Sequence, residues 1–379
     1  MIKVGFIGAV SKEWMGGLNY YKNLLLALNH SEDKKLEIFV FVGKKTNNEI
    51  KNIFCSYAKV IENSLFDEGS LKWYLAKIEQ HFLKSSFIYA NFFKKYGIQV
   101  LSHTSLVNVK YTKTINWIPD FQHVHLPEMF SKQEIKHRNK KFKRLITNSD
   151  LVVLSSYDAL TDLKNFAHGS ESKARVLQFV SQPTETYFEL KDSDRDFLLN
   201  KYNLANDFFY MPNQFWKHKN HLFVFQAIAE LKNEGINICV VCSGHLSDYR
   251  NKNHIEEIKN FIINNDLHEN VKLLGLIDYQ EVFALIKYSK AVINPSLFEG
   301  WSSTVEECKS VNKNMILSDL DVHLEQYPTA TFFKRNNLES LKNILRNYND
   351  EKNISITDSL EFRNKKFVET YVSICLETA

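Results

Sequence analysis

The sequence predicts an α/β protein of two domains, each a parallel sheet wrapped by helices, and three observations carry that prediction. At 379 residues the chain is too long for one small core and has room for two apolar interiors. Short apolar runs alternate with stretches whose apolar residues recur at helical spacing. The alternation lapses once, between residues 181 and 206, and then resumes. Strands that alternate with helices pair in parallel, because each helix carries the chain back to the starting edge of the next strand.

Taken in order, Ile2–Ile7 reads as a buried strand, and after a loop Tyr21, Leu24, Leu25 and Leu28 mark a helix by their i, i+3, i+4, i+7 spacing. A second strand over Leu36–Val42 follows. Helical stretches around 70–95 and strands at 99–101, 114–118, 151–154 and 175–179 continue the pattern. The segment from 181 to 206, with Gln182-Pro183-Thr184 and the charged run Lys191 to Asp196, reads as the interdomain connection. A second series then has strands at 208–211, 236–242, 271–274, 291–294 and 315–318, with helices near 220–234, 254–265, 279–288 and 304–311. Residues 359–378 are helical in pattern. The expected division is 1–185, 186–357 and a C-terminal helix over 358–379.

Composition narrows the class. The hydrophobic fraction of 44% and the 24% of charged residues describe an ordered globular protein. Apolar runs such as Leu24 to Leu28 are far shorter than a membrane span needs. The N-terminus lacks the features of a signal peptide, so the expectation is a cytoplasmic protein. Five cysteines, at 55, 239, 242, 308 and 375, do not form a disulfide framework and are expected as free thiols. Cys239 and Cys242 imitate a redox CxxC but fall in a predicted strand, where side chains three apart face opposite ways. A net charge of +4 is too small to predict nucleic acid as a partner. The basic cluster Lys136 to Arg144 reads as a helix face able to meet phosphates or anionic headgroups.

The segment richest in chemistry runs Asn294-Pro295-Ser296-Leu297-Phe298-Glu299-Gly300-Trp301-Ser302-Ser303-Thr304-Val305-Glu306-Glu307, a strand end, a loop and a helix start. Strand ends in parallel sheets face the ligand crevice. Ser302, Ser303 and Thr304 can cap the helix while its free N–H groups point at a diphosphate, and Gly300 and Trp301 lie in the same donor-binding loop. A carboxylate accepts hydrogen bonds from vicinal hydroxyls, so Glu307 suits a ribose and Glu299 a donor sugar.

This segment resembles the retaining glycosyltransferases of family 4 (glycosyl transferases group 1), whose signature is two glutamates with seven residues between them, here Glu299 and Glu307. Asn314 to Asp319 matches the strand and turn that follow in that family. The resemblance implies a GT-B fold of two facing Rossmann-like domains with the active site in the interdomain cleft, the donor held mainly by the C-terminal domain and the acceptor by the N-terminal one. It assigns the nucleotide ribose to Glu307 and the transferred sugar to Glu299. Lys219, in Met211-Pro212-Asn213-Gln214-Phe215-Trp216-Lys217-His218-Lys219-Asn220-His221, fits the family's diphosphate lysine. The arginine common five residues earlier is Gln214 here, and Lys217 is the candidate replacement. His218 and His221 lack partner acids for a metal site.

Gly16 and Gly17, in the loop expected before the first helix, match the family's donor-diphosphate glycines, and Gly244, after the strand that ends at Cys242, matches a glycine near the nucleotide. In the polar, aromatic run Trp117 to Glu128, Asp120 falls on the aspartate of the family's His-Asp pair while Pro119 replaces the histidine. His123 is the candidate substitute, and His125 a weaker one. The resemblance further implies transfer with retention, no essential metal and no cofactor. It also implies a UDP- or GDP-linked donor and an oligosaccharide acceptor linked to polyprenyl diphosphate, as in surface-polysaccharide or O-antigen (lipopolysaccharide) assembly, with contact at the inner face of the cytoplasmic membrane. Two rival readings are a nucleotide-sugar epimerase or phosphorylase of the same architecture, which would turn over without an acceptor, and a catalytically silent carbohydrate-binding subunit.

Overall fold

The computed structural model describes all residues except 9–14, 33, 83–85, 249 and 350–357. Chain contacts divide it into two units, one formed by 1–127, 131–180 and 360–379 and the other by 128–130 and 181–359.

The first unit runs β1 (Ile2–Ile7), α1 (Met15–His30), β2 (Leu36–Val42), α2 (Asn48–Cys55), β3 (Lys59–Glu62), α3 (Leu71–Phe82), α4 (Phe87–Tyr96), β4 (Val100–Ser102), β5 (Lys113–Ile118), α5 (Gln122–His125), α6 (Lys132–Asn148), β6 (Leu151–Leu154), α7 (Tyr157–Phe166) and β7 (Ala174–Val176). Its sheet has the order β3-β2-β1-β4-β5-β6-β7, with every pair parallel. Such a sheet, covered on both faces, requires apolar side chains on both sides of each strand. β6 satisfies this with Leu151, Val152, Val153 and Leu154 all buried.

The second unit runs α8 (Asp192–Tyr202), β8 (Phe209–Met211), α9 (His221–Asn233), β9 (Val240–Ser243), α10 (His254–Asn264), β10 (Val271–Gly275), α11 (Tyr279–Tyr288), β11 (Val292–Asn294), α12 (Ser303–Ser310), β12 (Met315–Ser318), α13 (Asp321–Gln326), β13 (Thr331–Phe333) and α14 (Leu338–Arg346). Its parallel sheet has the order β10-β9-β8-β11-β12-β13. The two-residue period of a strand sends Phe209 and Met211 into one apolar cluster and Tyr210 into the other, on the opposite face. Cys242 and Cys239 divide between the same two clusters, which is why the CxxC spacing makes no thiol pair; both are free and buried. The last helix, α15 (Leu360–Thr378), belongs to the first unit, where Tyr371 stacks near Phe6 of β1 and Glu377 pairs with Arg175.

Four elements differ from the sequence expectation. The charged run in the supposed connection starts α8, because Asp194 turns its carboxylate back onto the Lys191 N–H at 2.8 Å and the acids favour the positive end of the helix. β3 and β13 are short edge strands; the charged ends of β3, Lys59 and Glu62, blunt the edge and hide its strand character. β9 begins at Val240 rather than 236, since only from Val240 does it pair with both β8 and β10.

Ile228 of α9 is fully buried in the cluster formed with β8 and β9. Ile228→Ala should lower unfolding free energy by about 2–5 kcal/mol in a urea titration. A change below about 1 kcal/mol would contradict this packing.

Candidate functional site

In the second sheet, β8 lies between β9 and β11, so the chain connections diverge on either side of it. A parallel sheet opens a crevice at the carboxyl ends of such strands. The segment after β8 and the loop after β11 meet there. The Leu297 N–H donates to the His218 carbonyl at 2.8 Å, and Thr304 Oγ1 donates to the Pro212 carbonyl at 3.3 Å. The contact brings Lys219 Nζ to 2.6 Å from Glu299 Oε1.

Glu299 is 9% exposed, and burial alone would push its carboxyl up. The Lys219 charge and hydrogen bond, aided by His323 and His218, outweigh that and hold it at about 2. Ser296 Oγ lies 2.6 Å from the same Glu299 oxygen and 2.6 Å from Asn294 Oδ1. Asn294 in turn donates to Ser302 Oγ at 3.0 Å. Ser302 is the N-cap of α12, accepting from the Val305 N–H at 3.4 Å. Gln326 fixes the Ser302 backbone from both sides, accepting its N–H at 3.0 Å and donating to its carbonyl at 2.9 Å. These bonds set the entry angle of α12, whose first N–H groups, at Ser303 and Thr304, have no acceptor within the helix.

Glu307 sits one turn further, fully inside the unit. Burial raises its carboxyl to about 7, opposed by the hydrogen bond that Tyr279 Oη donates at 2.8 Å. The two signature glutamates are therefore held in contrasting protonation states, one paired with a cation and the other proton-retaining near neutrality.

Lys217 is exposed, while its backbone N–H donates to Asp248 Oδ2 at 2.9 Å. A cation the sequence reading missed lies closer in: the Arg250 guanidinium, nine-tenths buried, stands 5.3 Å from the Trp216 ring and 3.4 Å from His218 Nδ1. Gln214, at the position of the absent arginine, accepts the His245 N–H at 2.9 Å and so ties the β8 loop to the end of β9. Gly244 between them has φ of +145°, and a Cβ there would come within 2.4 Å of the Asn213 carbonyl oxygen. Asn213 itself buries an Nδ2 group that finds no partner among the described residues, while its Oδ1 faces Thr304 at 3.3 Å. His221 stacks on Phe215 at 4.2 Å, which accounts for its burial as packing. Among the described residues no three His, Cys, Asp or Glu side chains are grouped to hold a metal ion. Gly300 and Trp301 lie partly exposed in the β11 loop, with Lys309 Nζ 5.9 Å from the indole.

In the first unit Gly16 and Gly17 stand in the first turn of α1 rather than in the loop before it, and Trp14 lies outside the described residues. Gly16 leaves open space where a side chain would be. Asp120, two residues before α5 begins, accepts the Gln122 N–H at 2.9 Å. His123 does not present its imidazole as expected. It is buried between Phe142 and Phe166 with Nε2 2.9 Å from Asn139 Oδ1, so it braces the loop against α6 and α7. His125 pairs with Asp162 at 2.6 Å.

A second cluster went unread in the sequence. His103, at the end of β4 with φ of +53°, places Nε2 2.5 Å from Tyr20 Oη and Nδ1 2.7 Å from Ser102 Oγ. Trp117 stacks on Tyr20 at 4.3 Å, and burial lowers His103 to about 3. β4 neighbours β1 at the point where the first sheet reverses its order, so this cluster occupies the equivalent crevice position. Tyr20 and His103 lie 83 residues apart in sequence, and no local spacing announces their pairing.

Residues 194–355 match the family described as Glycosyl transferases group 1, so the chain carries a domain of that family. No curated protein matches in sequence. Among solved structures, HepE of Anabaena in complex with UDP and glucose is 13% identical with a TM-score of 0.66, covering 100% of this chain and 98% of that one. A glycosyltransferase from Rickettsia africae is 17% identical, TM-score 0.66, over 100% and 99% of the two chains. The lipopolysaccharide outer core galactosyltransferase WaaB in its apo form is 13% identical, TM-score 0.60, over 100% of each. At these identities the likeness is one of fold: two Rossmann-like halves of the GT-B type.

The raised Glu307 carboxyl makes stability depend on pH. Below about 4.5 it is protonated folded or unfolded; between about 4.5 and 7 only the folded chain keeps the proton, so stability falls as pH rises through that window. Urea titrations of wild type and Glu307→Gln at pH 5 and pH 8 should show a wild-type loss larger by about 1–3 kcal/mol. Equal losses would mean that Glu307 titrates as an ordinary carboxyl.

Proposed function

We propose that this chain, a glycosyltransferase by its group 1 domain, moves a sugar from a UDP- or GDP-linked donor to a glycan acceptor with retention of anomeric configuration, as in family 4. The observation that supports this most is the Lys219–Glu299 pair set beside the start of α12 at the switch point of the second sheet. A departing nucleoside diphosphate develops negative charge, and preorganised N–H groups and cations stabilise it without reorganising. Ser303 and Thr304 supply the N–H groups, and Lys219 the cation. Arg250, held by Asp248 at 3.5 Å and buried against the same turn, is better fixed in place as a second cation than the exposed Lys217. With such groups at the leaving oxygen, no metal is required.

Glu299 is kept ionised, so it can accept hydrogen bonds from donor-sugar hydroxyls, and Glu307 is assigned the ribose hydroxyls. Ribose hydroxyls favour the carboxylate form of Glu307, so donor binding should release its proton near neutral pH. Retention is assigned to a front-face route in which the leaving phosphate oxygen takes the acceptor proton as the new glycosidic bond forms. A trapped glycosyl-enzyme adduct would overturn that route. The acceptor is proposed to be a lipid-linked oligosaccharide of surface-polysaccharide assembly. The fold shared with a lipopolysaccharide galactosyltransferase supports it, as does the basic outer face of α6. No helix of the described residues is long and apolar enough to cross a membrane, so contact with lipid would be at the surface.

A thermal-shift panel of UDP, GDP and NAD, with and without magnesium, tests the donor site. One nucleoside diphosphate should raise the midpoint independently of metal, and no shift with either would remove the reading. In kinetics, Glu307→Ala should mainly raise the donor KM, and Glu299→Ala should lower kcat at least a hundredfold. Near-wild-type constants in both would sink the assigned roles.

A further inference from the structure

α3 is amphipathic the wrong way round. Its inner side carries Ala76 and Glu79, both buried, while Leu71, Tyr74, Leu75, Ile78 and Phe82 face outward. Leu71 and Phe82 are 75% and 74% exposed, and Tyr74 and Ile78 each 53%. At about 100° per residue these five fall within an arc of about 100°, a continuous stripe along about 18 Å of helix. Single exposed apolar residues are ordinary, but an aligned stripe marks a surface that meets another phase or partner.

The charges beside it say which. α3 itself carries two lysines and a single carboxylate, Glu79, with Asp67 and Glu68 just before it. The Glu79 carboxylate is turned inward, bonded to the backbone N–H groups of Phe87 and Ile88 at the start of α4. Lys72 and Lys77, both exposed, flank the stripe on either side. Beyond α3, Phe87, 48% exposed, and Tyr111, 63% exposed, lie under the Lys110 ammonium at 5.6 and 4.9 Å. Apolar side chains rimmed by lysines and ring edges match an anionic lipid surface, where the stripe enters the acyl boundary and the lysines stay at the headgroups. A second copy of the chain fits poorly, because a two-fold contact would set this cationic rim against itself.

We propose that α3 is the membrane-docking element of this protein, inserting its Leu71–Phe82 stripe into an anionic bilayer surface. The proposal adds an apolar insertion site to the lipid contact inferred above, where the basic face of α6 was the support, but it rests on α3 and its neighbours and holds whatever the donor.

Co-sedimentation with phosphatidylglycerol/phosphatidylcholine vesicles, compared with phosphatidylcholine alone, tests it on the full chain. Wild type should partition to the anionic vesicles at low salt. Ile78→Ser with Phe82→Ser should weaken partitioning at least tenfold with an unchanged thermal midpoint. Lys72→Gln with Lys77→Gln should weaken it several-fold and flatten its salt dependence. No wild-type partitioning at low salt, or an undiminished stripe variant, overturns the proposal. So does a wild-type dimer in sedimentation velocity that the stripe variant dissolves, which would assign the surface to a second copy. The nucleotide thermal shift, run on the same stripe variant, keeps the two readings apart: its absence counts against the donor site, and loss of vesicle binding alone counts against α3.

Discussion

Placing an ionised carboxylate out of water is tolerable only beside a fixed positive charge, and the geometry around Glu299 follows from meeting that requirement. Lys219 must reach it, which demands that the turn after β8 and the loop after β11 be bonded together. Ser296 Oγ adds a second contact at the same oxygen. Ser296 and Asn294 then hold Ser302, Ser302 starts α12, and Gln326 reaches in from α13 to lock the start. A single buried charge thus organises four segments of the second unit. The resulting cation, carboxylate and helix terminus suit a negatively charged leaving group.

Glu307 shows the converse. The Tyr279 hydroxyl donates to it, and burial leaves its proton in place near neutrality. Two residues of one type, eight positions apart, thereby differ by several pH units because one faces Lys219 and the other faces the interior. Such divergence suits one group to accept hydrogen bonds at all times and the other to respond to its ligand.

Where the sequence differs from the pattern it resembles, the side chains present find partners distant in sequence. Gln214 replaces an arginine without leaving a gap, since its amide oxygen bonds the backbone at His245 and fastens Gly244 close beneath the β8 loop. Nearby, a buried guanidinium, Arg250, is ion-paired with Asp248 at 3.5 Å and seated against Trp216 and His218. Pro119 removes a histidine at one strand end, and a different imidazole, His103, stands at the end of the neighbouring β4 with Tyr20 and Trp117.

The fold class was legible because parallel α/β architecture writes itself locally: β6 is apolar on both faces, and α1 repeats its leucines at helical spacing. The segment from Glu299 to Glu307 was legible as a loop and helix start for the same reason, since Glu299, Ser302 and Glu307 are neighbours along it. What the sequence could not express was any property that depends on what comes to lie opposite. It did not show that α8 starts within a charged run, that His123 is walled in by Phe142 and Phe166, or that the outward face of α3 is its apolar one. Nor could it show that Glu299 and Glu307 would hold their protons so differently. Periodicity and local bonding are properties of adjacent residues and survive in a linear string. Burial, ionisation and exposure are set by partners tens of residues away, and only the folded chain brings those together.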